Sequence, residues 1–185
     1  MNPENTIAIS INFFKQSPDI PTIKDVGILR TFYRNLISDV NGGLIEVELF
    51  QKEKIDFIRT IIKFRSENSG MTYIGSLTLP FKNCSFVFKV QAIESGATGM
   101  RETIIANRLL SAKNISVAEN GYSNWSADPY DATIKNDILM NKSEQSIYDV
   151  DFPSHPLTQV RKIINQIEIG MKWSFEPNAL SAFDK

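Results

Sequence analysis

The stretch from Met71 to Glu102, MTYIGSLTLPFKNCSFVFKVQAIESGATGMRE, alternates with a period of two for most of its length, and this limits the folds open to the chain. Tyr73, Leu77, Leu79 and Phe81 fall on one face of an extended backbone, while Thr72, Ser76 and Thr78 fall on the other. Lys82 and Asn83 turn the chain, and Cys84, Phe86, Phe88 and Val90 then repeat the pattern against Ser85, Lys89 and Gln91. Two alternating runs around a short polar turn predict an antiparallel hairpin. After Gly96, either Thr98 or Gly99 can open a helix to about Ala112, with Met100, Ile104, Ile105 and Leu109 as its apolar stripe. Such a hairpin has to bury one face against another layer, which points to a sheet packed with helices.

Upstream, Ile7 to Phe14 is a short apolar run that predicts a strand, closed by the loop around Pro18 and Pro21. From Asp25 the positions Val26, Leu29, Phe32, Tyr33, Leu36, Ile37 and Val40 recur at helical spacing, and Gly42 and Gly43 supply a stop. Leu44 to Phe50 alternates again, with Ile45, Val47 and Leu49 inward and Glu46 and Glu48 toward water. Ile55 to Phe64 carries apolar residues on both faces, and Ile55, Ile58 and Ile62 also fit a helical stripe. Its Ile, Phe and Thr content and its place between two strands favour a central strand covered on both sides. Asn68 to Gly70 turns the chain into the hairpin.

Near the C-terminus, Ser154 or His155 can cap a last helix with Pro156 in its first turn. Leu157, Val160, Ile163, Ile164, Ile167 and Met171 form its stripe. The tail brings Trp173, Phe175, Leu180 and Phe183 to cover an edge of the core. Together these elements predict a single α+β domain over residues 1–185, a mainly antiparallel sheet of about four to six strands flanked by about three helices.

A net charge of −1 and the lack of any basic run argue against nucleic-acid binding, which needs clustered Lys and Arg to release counterions from phosphates. The first residues lack a basic leader and a long apolar core, so neither a signal peptide nor a membrane span is expected. One cysteine, Cys84, forms no internal disulfide and fits a reducing cytoplasm.

The catalytic inventory is thin. With one histidine, His155, and one cysteine, no multi-His or multi-Cys zinc site can be assembled in one chain. Cys84 shares a strand face with Phe86 and Phe88 and reads as a core residue, and His155 reads as a helix-entrance residue. No nucleophile elbow is present, and Gly96 and Gly99 lack the companions of a phosphate-binding loop. No cofactor, metal or catalytic residue is therefore assigned.

Residues 120–153 differ in character, holding six acids (Asp128, Asp131, Asp137, Glu144, Asp149, Asp151) against two lysines, with Tyr122, Trp125, Tyr130 and Tyr148 interspersed. An irregular acidic-aromatic excursion of this length is uncommon inside a compact domain. Tyr122, Trp125, Asp128, Tyr130 and Asp131 form its candidate partner-binding set, since exposed rings supply contact area and carboxylates complement a basic partner. The competing arrangement folds Trp125, Tyr130 and Tyr148 inward, pinning the excursion to the sheet with only its carboxylates in water.

The order of a helix, an antiparallel run of strands and a helix directly after them, from about Asp25 to Ala112, resembles the Mog1/PsbP-like α/β/α fold. That resemblance implies a non-enzymatic domain that works by binding another protein. The long segment before the last helix departs from the compact family pattern. The leading expectation is accordingly a cytoplasmic protein-binding module, such as an immunity-type, adaptor or chaperone protein engaging a positively charged protein. An enzyme using Asp or Glu with His155 in a cleft beside the last helix is the alternative from another class. A structural subunit self-associating through the last helix and tail is the third.

Overall fold

The computed structural model describes residues 6–67, 70–136, 138–172 and 180–185. In chain order its main elements are β1 (Ile7–Phe14), α1 (Val26–Ser38), β2 (Gly42–Lys52), β3 (Ile55–Arg65), β4 (Met71–Pro80), β5 (Ser85–Ile93) and α2 (Met100–Ser111). Four short strands follow, β6 (Ser116–Ala118), β7 (Gly121–Ser123), β8 (Ser126–Ala127) and β9 (Met140–Asn141). Two 3-10 turns, Lys142–Glu144 and Ser146–Tyr148, then lead to α3 (Pro156–Gly170).

The hairpin forms as its alternation requires, with Thr72 opposite Ile93 and Pro80 opposite Ser85. It lies inside a five-stranded antiparallel sheet of order β1-β5-β4-β3-β2, so β1 and β2 are the two edges. The architecture among the described residues is α+β, one such sheet with three α-helices.

One face of the sheet is covered by α3. Leu157, Val160 and Ile164 bury against Ile61, Tyr73, Leu77, Val90 and Ala92. The helix seats directly over Gly75, where a Cβ would lie 2.5 Å from Val160 Cγ1 and 2.9 Å from Ile164 Cγ1. Burying each such aliphatic side chain is worth about 1.5–3 kcal/mol, and any larger residue at 75 would lift the helix from the sheet.

The opposite face is covered at its β2 and β3 end by α1, through Leu29 and Ile37 on Val47 and Ile58. β3 thus carries buried residues on both faces, Phe57 and Ile61 toward α3 and Ile58 toward α1, which explains its unbroken apolar run.

Several helix expectations shift in detail. Asp25 caps α1, its carboxylate accepting the Gly27 and Ile28 N–H groups. The chain leaves α1 through Asn41 at φ 51° rather than through the glycines. Gly42 and Gly43 are instead the buried start of β2, where a Cβ on Gly43 would lie 2.3 Å from the Ile138 carbonyl oxygen. Leu36 and Val40, expected in the α1 stripe, are more than half exposed.

On α2 the buried face holds Arg101, Ile105 and Ala106, while Met100 and Ile104 face outward. The phase of that helix is set by a guanidinium, which no apolar stripe announces. Gly99, at φ 73°, is its N-cap residue and makes no side-chain cap bond. At the other end of the chain, Leu180 packs beside Cys84 and Phe81, Phe183 is buried near α1, and Ala182 bridges Phe81. Trp173 and Phe175, the turn residues Asn68 and Ser69, and Asp137 lie outside the described residues.

Candidate functional site

The acidic excursion is folded back on the rest of the chain, and four of its six carboxylates, those of Asp128, Glu144, Asp149 and Asp151, pair with cations of the same chain. Asp128 is buried, and its two oxygens accept the Arg34 fork at 2.8 and 2.9 Å. The N–H groups of Tyr130 and Asp131 also donate to it, each at 3.0 Å. Burial works to raise this carboxyl, but the Arg34 fork and those amides outweigh it and hold it below the usual carboxylate range. Asp151 pairs with Arg108, and Asp149 forms an ion pair with Arg101 at 2.9 Å and accepts from Arg161 at 3.0 Å. The charge segregation visible along the chain is largely cancelled in three dimensions.

Glu144 closes the deepest part of this seam. Its Oε2 lies 2.6 Å from Lys63 Nζ, and both side chains are 2% exposed. The same carboxylate accepts the Tyr73 hydroxyl at 3.2 Å and the Asn141 N–H at 2.8 Å, the latter as half of a capping box on the 3-10 turn. Burial, then the neighbouring Glu144 charge, raises the Tyr73 phenol and keeps it protonated.

Arg101, 2% exposed, donates to the carbonyls of Ser143 at 2.7 Å and Gln145 at 3.1 Å, and to the Thr158 hydroxyl at 2.9 Å. Charges this deep persist only when paired, so this set latches the excursion between the sheet, α2 and α3.

Beside the N-terminus of α3 lies a cavity of about 430 Å³, between the adjoining ends of β1 and β5 and the loop from Asp151 to Pro156. Glu94 and His155 stand in its wall with His155 Nε2 3.1 Å from Glu94 Oε1. Here the expected enzyme cleft has a location, but its imidazole is fully committed. Nδ1 accepts the Leu157 N–H at 3.2 Å as the N-cap of α3, which leaves the proton on Nε2 for Glu94. Burial works to raise Glu94, but His155 and the Met71 N–H outweigh it and hold the carboxyl below its ordinary value. With no ring nitrogen directed into the cavity, the pair ties the end of β5 to the start of α3.

The two edges of the sheet are finished differently. At β2, Tyr130 lays its hydroxyl on the strand's outer side, accepting the Val47 N–H at 2.8 Å and lying 3.3 Å from the Val47 carbonyl oxygen. Arg30 Nε donates to that carbonyl at 3.3 Å, and its guanidinium stacks 3.7 Å above the Tyr130 ring. Asn136 reaches the Gly42 carbonyl at 3.5 Å. Glu46 and Glu48, expected to face water, are engaged by Arg59 and Arg30.

At β1 no described strand covers the outer side. The Ile93 N–H donates to the Thr6 carbonyl, which sets the alternation: Ala8, Ser10 and Asn12 direct their backbone groups to β5, and Ile9, Ile11 and Phe13 direct theirs outward. The side chains of Ile9, Ile11 and Phe13 stand on the α3 side, opposite Val90, Phe88 and Phe86, and remain 55%, 67% and 52% exposed. The row starts at the cavity wall with Ile7 and ends where the Phe13 and Phe86 rings meet at 4.9 Å.

The chain matches no family model, and no curated protein matches it significantly. Its site is therefore read from its own residues. Among the described residues, no helix is long and apolar enough to cross a membrane, and no group of three or more His, Cys, Asp or Glu is placed to hold a metal ion.

Of the five residues singled out in the excursion, Asp128 and Tyr130 turn inward, onto Arg34 and the β2 edge respectively. Trp125 is half-buried, and Tyr122, exposed, meets it edge-on with ring centroids 6.0 Å apart. Asp131 is exposed, and its carboxylate accepts from Thr133. The five thus form no single exposed face. The β1 row was legible only as a strand, since an alternating run does not say whether its apolar side will be covered.

Proposed function

We propose that this protein is a non-enzymatic binding module that associates with protein through the open β1 edge. One observation carries the reading: β1 is an eight-residue edge strand with no charged residue and no proline, and its outward backbone groups lie beside an exposed apolar row. Edge strands are ordinarily blunted by lysine, proline, bulges or a covering segment, and an unblunted one is a template for strand addition. Adaptor, chaperone and immunity proteins are classes in which such a module works. The commitment of both His155 nitrogens and the pairing of most excursion carboxylates support binding over catalysis. They also move the proposed surface from the excursion to β1.

Affinity capture from the native source tests this with the doubly substituted Ile9→Lys, Ile11→Lys protein beside a Tyr122→Ala, Asp131→Ala control. Loss of the bound protein in the β1 variant alone is expected. Retention by the β1 variant with loss in the control would return the binding surface to the excursion.

A further inference from the structure

We infer that the strand added at β1 is β1 of a second copy of this chain, paired antiparallel about a twofold axis at Ser10. This rests on the β1 reading above and goes further by naming the partner and the register. In the sequence Ala8-Ile9-Ser10-Ile11-Asn12 the central Ile-Ser-Ile reads the same from either end, and the flanking Ala8 and Asn12 are both small enough to face one another.

With Ser10 opposite Ser10 of the copy, Ile9 faces Ile11 and Ile11 faces Ile9. These are the residues whose N–H and C=O point outward, so each such pair exchanges both main-chain hydrogen bonds. The isoleucine side chains then meet on the α3 side as apolar cross-strand pairs, while the opposite side brings Ala8 against Asn12 and serine against serine. No like charges are brought together, because β1 carries none.

The other edge decides between a closed pair and a growing fibre. β2 is obstructed at Val47 by Tyr130 and Arg30 and at Gly42 by Asn136. A second copy therefore offers β1 as its accessible edge, and pairing stops at two subunits with a continuous ten-stranded sheet, twice the five strands of one chain. With the apolar row limited to one strand, the contact falls toward the small end of protein interfaces, below roughly 800 Å² per partner, and the dimer dissociates on dilution.

Mass by light scattering across a dilution series, with Ser10→Cys and Asn12→Cys proteins oxidised in parallel, tests both partner and register. The expected results are twice the 20.9 kDa chain mass at high concentration and 20.9 kDa for Ile11→Lys. Ser10→Cys should form a disulfide-linked dimer and Asn12→Cys should not, because facing cysteines in a non-hydrogen-bonded pair lie within disulfide reach. A wild-type mass of 20.9 kDa at every concentration overturns the inference. So does a dimer that survives Ile11→Lys, or cross-linking through Asn12→Cys alone. If the wild-type chain is monomeric yet Ile9→Lys, Ile11→Lys still abolishes capture of another protein, the β1 reading stands and only the self-pairing fails.

Discussion

β1 and β2 are the two edges of the same sheet, eight and eleven residues long, yet β2 is obstructed by other segments and β1 is open among the described residues. β2 is closed by residues distant in sequence, Tyr130 and Arg30 at Val47 and Asn136 at Gly42, held down by a buried ionic latch. Among the described residues no strand pairs with the outer side of β1, and Ile9, Ile11 and Phe13 stay half or more exposed. An edge is therefore protected by what the rest of the chain lays across it. The acidic excursion, which looks dispensable to a sheet scaffold, is that protection for β2.

The largest break in this contrast is Glu144→Gln. It leaves Lys63 charged and unpaired at 2% exposure, and a buried pair broken on one side costs about 3–5 kcal/mol. Urea unfolding should show a loss of that order, together with faster exchange of the Val47 amide as the excursion loosens.

Asp128→Asn is expected to cost about 2 kcal/mol, the scale of charge-assisted hydrogen bonds to the Arg34 fork. The wild-type carboxyls of Asp128 and Glu94 are both held below their ordinary values, so they add stability above the unfolded carboxyl pKa of about 4 and lose it as pH falls through their folded values. Stability should thus be level near neutrality and decline below about pH 4. The decline should be shallower in Asp128→Asn, as followed by thermal unfolding across pH.

Smaller again is Tyr130→Phe, which keeps the ring under Arg30 but removes the hydroxyl from Val47 and should cost about 1 kcal/mol by chemical denaturation. Smallest is Ile11→Lys, which alters a side chain 67% exposed and should change the monomer's stability by under about 0.5 kcal/mol. Its effect belongs to association. A large stability loss there would mean that β1 is covered after all.

The hairpin, β3 and the last helix with its Pro156 start were legible in the sequence because each depends on a local period or a local cap. The latch was not. Arg101 is held by Ser143, Gln145, Thr158 and Asp149, all more than forty residues away, and an arginine within a helix gives no sign that it is buried. The same holds for Asp128, whose acidity suggested an exposed face until Arg34 of α1 was brought beside it. The excursion's charges read as surface in the sequence because their partners lie in other segments. For β1 the missing information was of the opposite kind: among the described residues no strand returns to pair with its outer side.

Amide hydrogen exchange, resolved to single residues and followed on dilution, tests the difference between the edges most directly. In the dilute monomer the Val47 amide should exchange slowly, while those of Ile9 and Ile11 exchange at rates close to those of an unprotected strand edge. Comparable protection of all three amides at high dilution, or a Val47 amide that exchanges as fast as Ile9, would contradict the closed and open assignment.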